Sequence, residues 1–324
     1  MLAKSSNLSV DSVIYDLEDS VTYESKELAR ELVADHIAGD AMQRSARGPK
    51  EVSVRINAVD TGLALQDIHT LTKMLTRVDN LDTIVVPKVQ SVADLHFVAD
   101  VIRHVAPERV LFRPLINESS RQKGKMPRSR PLSIIGLIES ALGLANVSDI
   151  CRAGQTLGLA GLGFAAEDFM ASVGLSKLPD RREVLFARSA VVNACRAYNL
   201  PSIIDMVSVD TAHGTALEEE SREGRSLGFT GKQAIHPSQV ETIQCAFGPS
   251  AEEVQWAAEV FVGDIEAQKQ GKGAWKLDGR MIDAPVVKTA TALLDRARAC
   301  DTDVDTHIAR FKVGRLTEKI RRSL

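Results

Sequence analysis

Apolar residues along this chain fall into two alternating registers. Short runs such as VDSVIYD (Val10 to Asp16), EVSVRIN (Glu51 to Asn57), LDTIVVPKV (Leu81 to Val89), SIIGLIES (Ser133 to Ser140) and LGLAGLG (Leu157 to Gly163) are mostly apolar, as expected of buried strands. Between them, residues 23–37, 63–78, 92–105, 142–153 and 182–198 carry apolar positions at helical spacing. PSIIDMVSVD and TGKQAIHP supply two further strands. Strand alternating with helix predicts a parallel α/β sheet covered by helices, with seven strands where a closed (β/α)8 barrel needs eight. RVLFRPLIN (residues 109–117) could add a strand, but it runs straight into 119–130, whose last ten residues hold five cations. That stretch reads as a surface loop, with phosphate binding as the lesser reading.

Composition narrows the functional classes. A chain of 324 residues that is 44% hydrophobic can bury a large core. A net charge of −3 and a pI near 6.2 give no field to attract nucleic acid or an anionic membrane. No apolar run approaches the ~18 residues of a membrane span. Cys151, Cys195, Cys245 and Cys300 are far apart in sequence and form no CxxC pair, so they read as reduced thiols in an intracellular protein.

Candidate chemistry gathers where strands end. LIES breaks into Glu139 and LGLAGLGFAAED into Asp168, which would bring two acids to the C-terminal mouth of a parallel barrel. Two carboxylates suit Mg²⁺, which leaves positions for water and for a chelating 2-oxo or 2-hydroxy acid. The competing reading makes both acids simple helix caps. Asp16, Glu18 and Asp19 follow the first strand and need cations, with Lys26 and Arg30 on the next helix available. Lys88, after VVPKV, could form a Schiff base if burial lowered its pKa, but a pairing with that acidic run is the stronger expectation. Arg55 ends RIN, where a planar guanidinium could grip a carboxylate or form an ion pair at the rim.

The ordered motifs DSVIYDLEDSV, VSVRIN, VVPKV, LIES, GLGFAAEDF, GFTGKQAIHP and GAWKLDGRMIDAPV together resemble the HpcH/HpaI aldolase and citrate lyase beta-subunit family over about residues 8–297. The acyl-CoA-using branch is the nearer match. The resemblance implies a TIM barrel of the phosphoenolpyruvate/pyruvate type with a C-terminal helical lid. It implies Mg²⁺ on Glu139 and Asp168, substrate contact by Arg55, and Glu18 and Asp19 in the surrounding water network. Lys88 and Glu139 are further candidates for substrate binding. In CoA-using relatives the segment holding Asp283 closes over a neighbouring subunit's site, and its aspartate acts as acid/base toward the acetyl-CoA methyl group. Asp-Ala-Pro is also a helix-start pattern, which makes an N-cap the competing reading of Asp283.

The implied partners are acyl-CoA and 2-oxo-acid substrates and further copies of the chain, as a trimer or hexamer, with no nucleic acid and no membrane span. The implied compartment is mitochondrial, with cytoplasmic as the alternative. Relatives open with an RxxLFVPG-type strand before DSVIYDLED, so the barrel is expected to lack its first strand. The expected division is a catalytic barrel over 1–247, a lid and oligomerisation segment over 248–297, and a basic tail over 298–324. In that tail Ile308, Phe311, Leu316 and Ile320 trace one side of a basic helix, most simply a solvated one. The expected activity is cleavage of a 3-hydroxy-acyl-CoA such as citramalyl-CoA or malyl-CoA. The alternatives are a non-catalytic scaffold and a citrate lyase beta subunit acting on a carrier-protein thioester.

Overall fold

The computed structural model describes residues 2–39, 48–75, 80–109, 111–112, 131–178, 180–210 and 214–311. Segment 119–130 and the tail positions Lys312, Arg315, Leu316, Lys319, Ile320, Arg321 and Arg322 lie outside the described residues. Contacts divide the chain into two units, Met1–Ile243 and Gln244–Leu324.

The first unit runs α1 (Leu2–Ser5), β1 (Ser12–Asp16), α2 (Lys26–Ala38), β2 (Glu51–Arg55), α3 (Ala64–Leu75), β3 (Thr83–Val86), α4 (Val92–Val105), β4 (Ser133–Ile138), α5 (Ala141–Ala145), α6 (Val147–Leu157) and β5 (Leu159–Phe164). It continues with α7 (Ala166–Val173), α8 (Leu185–Ala197), β6 (Ser202–Asp205), α9 (Gly214–Leu227) and β7 (Gly231–Lys232). All seven strands pair in parallel with their sequence neighbours, and β1 and β7 end the order. This is the curled parallel α/β sheet expected from the sequence.

Helix α4 shows how local sequence sets an element. Ser91 and Asp94 form a capping box at its start, worth about 1 kcal/mol. Leu95, Val98, Ala99 and Ile102 then form one fully buried stripe at spacings of 3, 4 and 7. Inside the sheet, Val85, Ile135, Leu137 and Ala160 form a cluster with Ile14, Phe112 and Ile204. The alternating residues Ile84, Val86, Ile134 and Ile138 are also fully buried.

Three elements differ from expectation. The helix expected over 142–153 is two helices meeting at Asn146, whose side-chain amide donates to the Gln90 carbonyl at 2.9 Å. Helix α9 is not among the expected elements, because six of its fourteen residues are charged and few are apolar. Leu111 makes only an isolated parallel bridge to Leu132, while β3 pairs directly with β4, so 111–112 does not widen the sheet.

Helix α10 (Val240–Phe247) contains the division between units. The second unit holds α11 (Ala251–Lys269), the hairpin β8 (Trp275–Leu277) and β9 (Arg280–Ile282), and α12 (Ala284–Ala299). Its core joins Val254, Ala257, Ala258 and Val262 to Ile282, Ala290, Leu294 and Ala297. Val304 and Ile308 are buried in the same core and Phe311 packs against it. The described part of the tail is therefore tied down, which corrects its expected reading as a solvated helix. No helix among the described residues is long and apolar enough to cross a membrane.

Candidate active site

Six of the seven strands end in a charged side chain or reach one within two residues, and β5 leads to one four residues on, in the first turn of α7. In order these are Asp16, Arg55, Lys88, Glu139, Asp168, Asp205 and Lys232. Parallel pairing places neighbouring ends side by side, and the β1–β2 register sets Asp16 opposite Arg55. Arg55 donates to Asp16 through Nε at 2.7 Å and Nη2 at 2.6 Å, a two-pronged pair. Its Nη1 lies 3.0 Å from Glu18 Oε2 and 3.8 Å from Asp19. Glu18 Oε2 has no aligned hydrogen bond, so that contact is an ion pair without hydrogen-bond geometry. Ser20 and the Glu18 amide also donate to Asp16. Burial alone would raise the Asp16 pKa, but Arg55 and Ser20 outweigh it and hold the pKa at about 2.

Lys88 supplies the second cation. Its ammonium donates to Glu18 Oε1 and lies 3.6 Å from Asp19. Burial would lower the Lys88 pKa, yet Glu18 and Asp19 push it up to about 12. Glu18 itself is buried, and that burial raises its pKa despite both cations. Asp19 is more than half exposed. The acidic run is thus neutralised from β2 and β3. The expected donors on the next helix are engaged elsewhere: Lys26 donates to the Leu17 and Glu18 carbonyls, and Arg30 pairs with buried Asp67 at 2.8 Å.

Glu139 stands one residue past β4 and is 3% exposed. Lys88, in the left-handed region at φ 51°, turns its backbone N–H to Glu139 Oε1 at 3.1 Å. Gly143 lets α5 pack close to the next carbonyl, since a Cβ there would lie 2.4 Å from the Val89 oxygen. Ser140, not Glu139, caps α5 by accepting from the Gly143 amide. Glu139 Oε2 is left buried with no hydrogen-bond partner. Burial first, then the charges of Asp168 and Glu18, push the Glu139 pKa up to about 7.

Asp168 lies in the first turn of α7, four residues beyond the end of β5, and is exposed. It too is not the cap, which is Ala165. A buried acid with one unpartnered oxygen beside a second acid is the donor chemistry a hard dication satisfies. Mg²⁺ keeps several waters and is commonly bound through one or two carboxylates plus substrate oxygens, so two acids are enough for it. Glu139 and Asp168 fit the ion.

A second, largely buried ionic cluster, not among the sites expected from the sequence, joins β6 and β7 to helices α8 and α9. Arg188 is fully buried and donates to Asp205 at 3.1 and 2.8 Å and to Glu223 at 2.6 Å. Gly224 makes room for this, since a Cβ there would lie 2.2 Å from Asp205 Oδ2. Lys232 donates to Glu220 at 2.5 Å and to the Met206 carbonyl at 2.6 Å. The available signal was periodic: Arg188 shares its helical stripe with Val191, Val192 and Cys195, all buried.

Asp283, in the second unit, is half-buried and caps α12, accepting from the Val286 amide at 3.3 Å with proline at the helix start. Its N-cap reading is therefore realised in the structure.

Fold and site together define an α/β enzyme with acids and cations lining the mouth of a parallel sheet. The chain belongs to the HpcH/HpaI aldolase/citrate lyase family, which it matches over residues 1–237. It is 34% identical to the mitochondrial citramalyl-CoA lyase of Homo sapiens, covering 89% of this chain and 79% of that protein. It is 30% identical to the L-malyl-CoA/beta-methylmalyl-CoA lyase of Cereibacter sphaeroides, covering 89% and 87%. Among solved structures, it resembles the CitE protein of Mycobacterium tuberculosis in complex with magnesium, acetoacetate and coenzyme A (27% identity, TM-score 0.64, 89% and 90% covered). The relatives are named lyases, and this chain is a carbon–carbon lyase of a family that includes CoA-ester lyases.

Proposed function

We propose that the protein cleaves a 3-hydroxy-acyl-CoA bearing a carboxylate on its hydroxylated carbon, such as citramalyl-CoA or malyl-CoA, to acetyl-CoA and pyruvate or glyoxylate. The carrying observation is Glu139, a buried acid with one unpartnered oxygen next to Asp168. Mg²⁺ held by Glu139 and Asp168 would polarise the substrate's carboxylate and hydroxyl oxygens. The chain's own residues then divide the work. Arg55 and Lys88, held at the mouth by Asp16 and Glu18, would contact the substrate carboxylate and the 2-oxo acid formed from it. Glu18 and Asp19 organise the water that receives the hydroxyl proton. The carbon–carbon bond breaks, its electrons pass to the thioester side, and Asp283 of a neighbouring subunit returns a proton to the new methyl carbon.

This division treats residues 1–247 as the catalytic barrel and 248–297 as the lid of a homo-oligomer. A mitochondrial location is part of the proposal, supported by the name of the human relative. Incubating the purified protein with Mg²⁺ and either thioester, and following acetyl-CoA by liquid chromatography, tests the reaction. Release of acetyl-CoA with stoichiometric pyruvate or glyoxylate is expected, and no release from either substrate contradicts the proposal.

A further inference from the structure

Glu167 and Asp168 are consecutive acids in the first turn of α7, and neighbouring helical side chains project about 100° apart. Asp168 is exposed, with no helical neighbour holding it among the described residues. Glu167 is held elsewhere, accepting from Arg181 Nη2 at 3.1 Å and from Lys177 at 3.2 Å. Arg181 is an unusual residue. Its side chain is only 8% exposed, its backbone lies in the left-handed region at φ 53°, and its Nη1 is buried with no hydrogen-bond partner. Its Nε lies 3.8 Å from Glu220, which accepts from Lys232, and Lys232 lies 3.9 Å from Asp205. A cation kept buried on a strained backbone persists only where its surroundings over-determine it.

We propose that Arg181 is a positioning residue for the metal pair, holding Glu167 toward the Glu220–Lys232 cluster so that Asp168 is the α7 acid that meets Glu139. Freed from Arg181, Glu167 would add a competing carboxylate beside the site, and the ion would be shared between two poorly aimed ligands. This inference rests on the reading of Glu139 and Asp168 as the metal pair.

The test is calorimetric titration of the full-length protein with Mg²⁺ alone, without substrate, with melting temperatures recorded in EDTA. Arg181→Met is expected to weaken Mg²⁺ binding about tenfold, while Glu167→Gln alone changes it by less than about twofold. Arg181→Met combined with Glu167→Gln should return the affinity to within about twofold of the parent, because the amide no longer competes. Arg181→Gln, which keeps a polar side chain but loses the charge that holds Glu167, carries the same comparison if Arg181→Met does not fold. A purely structural role would lower the melting temperature and leave the Mg²⁺ affinity unchanged or tighter, which overturns the inference. So would a double variant as weak as Arg181→Met. A parent that binds no Mg²⁺ overturns instead the metal reading beneath it.

Discussion

Lys88 donates its backbone N–H to Glu139 across 3.1 Å while its ammonium pairs with Glu18. One residue thus orients a buried acid through its backbone and neutralises another through its side chain. The left-handed backbone at Lys88 allows both at once. With its pKa pushed up to about 12, the ammonium stays protonated through the neutral range, which rules against an amine nucleophile. Treating the protein with pyruvate and borohydride should therefore leave it unmodified by intact mass spectrometry. A reduced adduct mapping to Lys88 would move the mechanism to a Schiff base.

Asp16 links the mouth to pH. Its folded-state pKa of about 2 lies below the ordinary 3.8, so its ionised form stabilises the fold above about pH 4. That contribution is lost as pH falls from about 4 toward 2. Discounted for partial solvent access, it amounts to about 1–2 kcal/mol. Asp16→Asn should lower the urea midpoint at pH 7, and the gap from the parent should narrow as pH drops below 4. A constant gap across that range would show that the Arg55 pair contributes no linked stability.

Much of this site was legible because strand ends in a parallel sheet are predictable places for chemistry. Glu139 follows directly from the apolar run before it, and the pairing of Lys88 with the acidic run follows from placing consecutive strands side by side. The partner of Arg30 was not legible, since Asp67 comes 37 residues later on a helix whose packing against α2 only the fold reveals. Arg188 was not legible because a cation on a helix is ordinarily solvated, and its partner Asp205 comes 17 residues later. Helix α9 was hidden by its charge, although Leu217, Ser221 and Gly224 mark its inner side at helical spacing.

Asp283 separates a structural role from a chemical one. As the cap of α12 it can be replaced by Asn with little loss, since both residues cap well, so Asp283→Asn should shift the melting temperature by less than about 2 °C. Proton return to the acetyl-CoA methyl carbon needs the carboxylate, so solvent deuterium incorporation there and overall turnover should both fall by about 10²-fold or more. Co-expressing inactive Asp283→Asn with inactive Glu139→Ala should recover part of the activity if the residue serves a neighbouring subunit. Verified hybrid oligomers with no recovery would confine Asp283 to its own chain or to capping.

The most direct test is a Mg²⁺ titration of citramalyl-CoA cleavage by the parent, Glu139→Ala and Asp168→Ala, each first stripped with EDTA. The stripped parent should be inactive and regain full turnover with Mg²⁺, while each variant should stay at least about 10³-fold slower at saturating metal and melt within a few degrees of the parent. Cleavage that survives metal removal, or persists at parental rates in either variant, would contradict the assignment of these two carboxylates as the centre of the reaction.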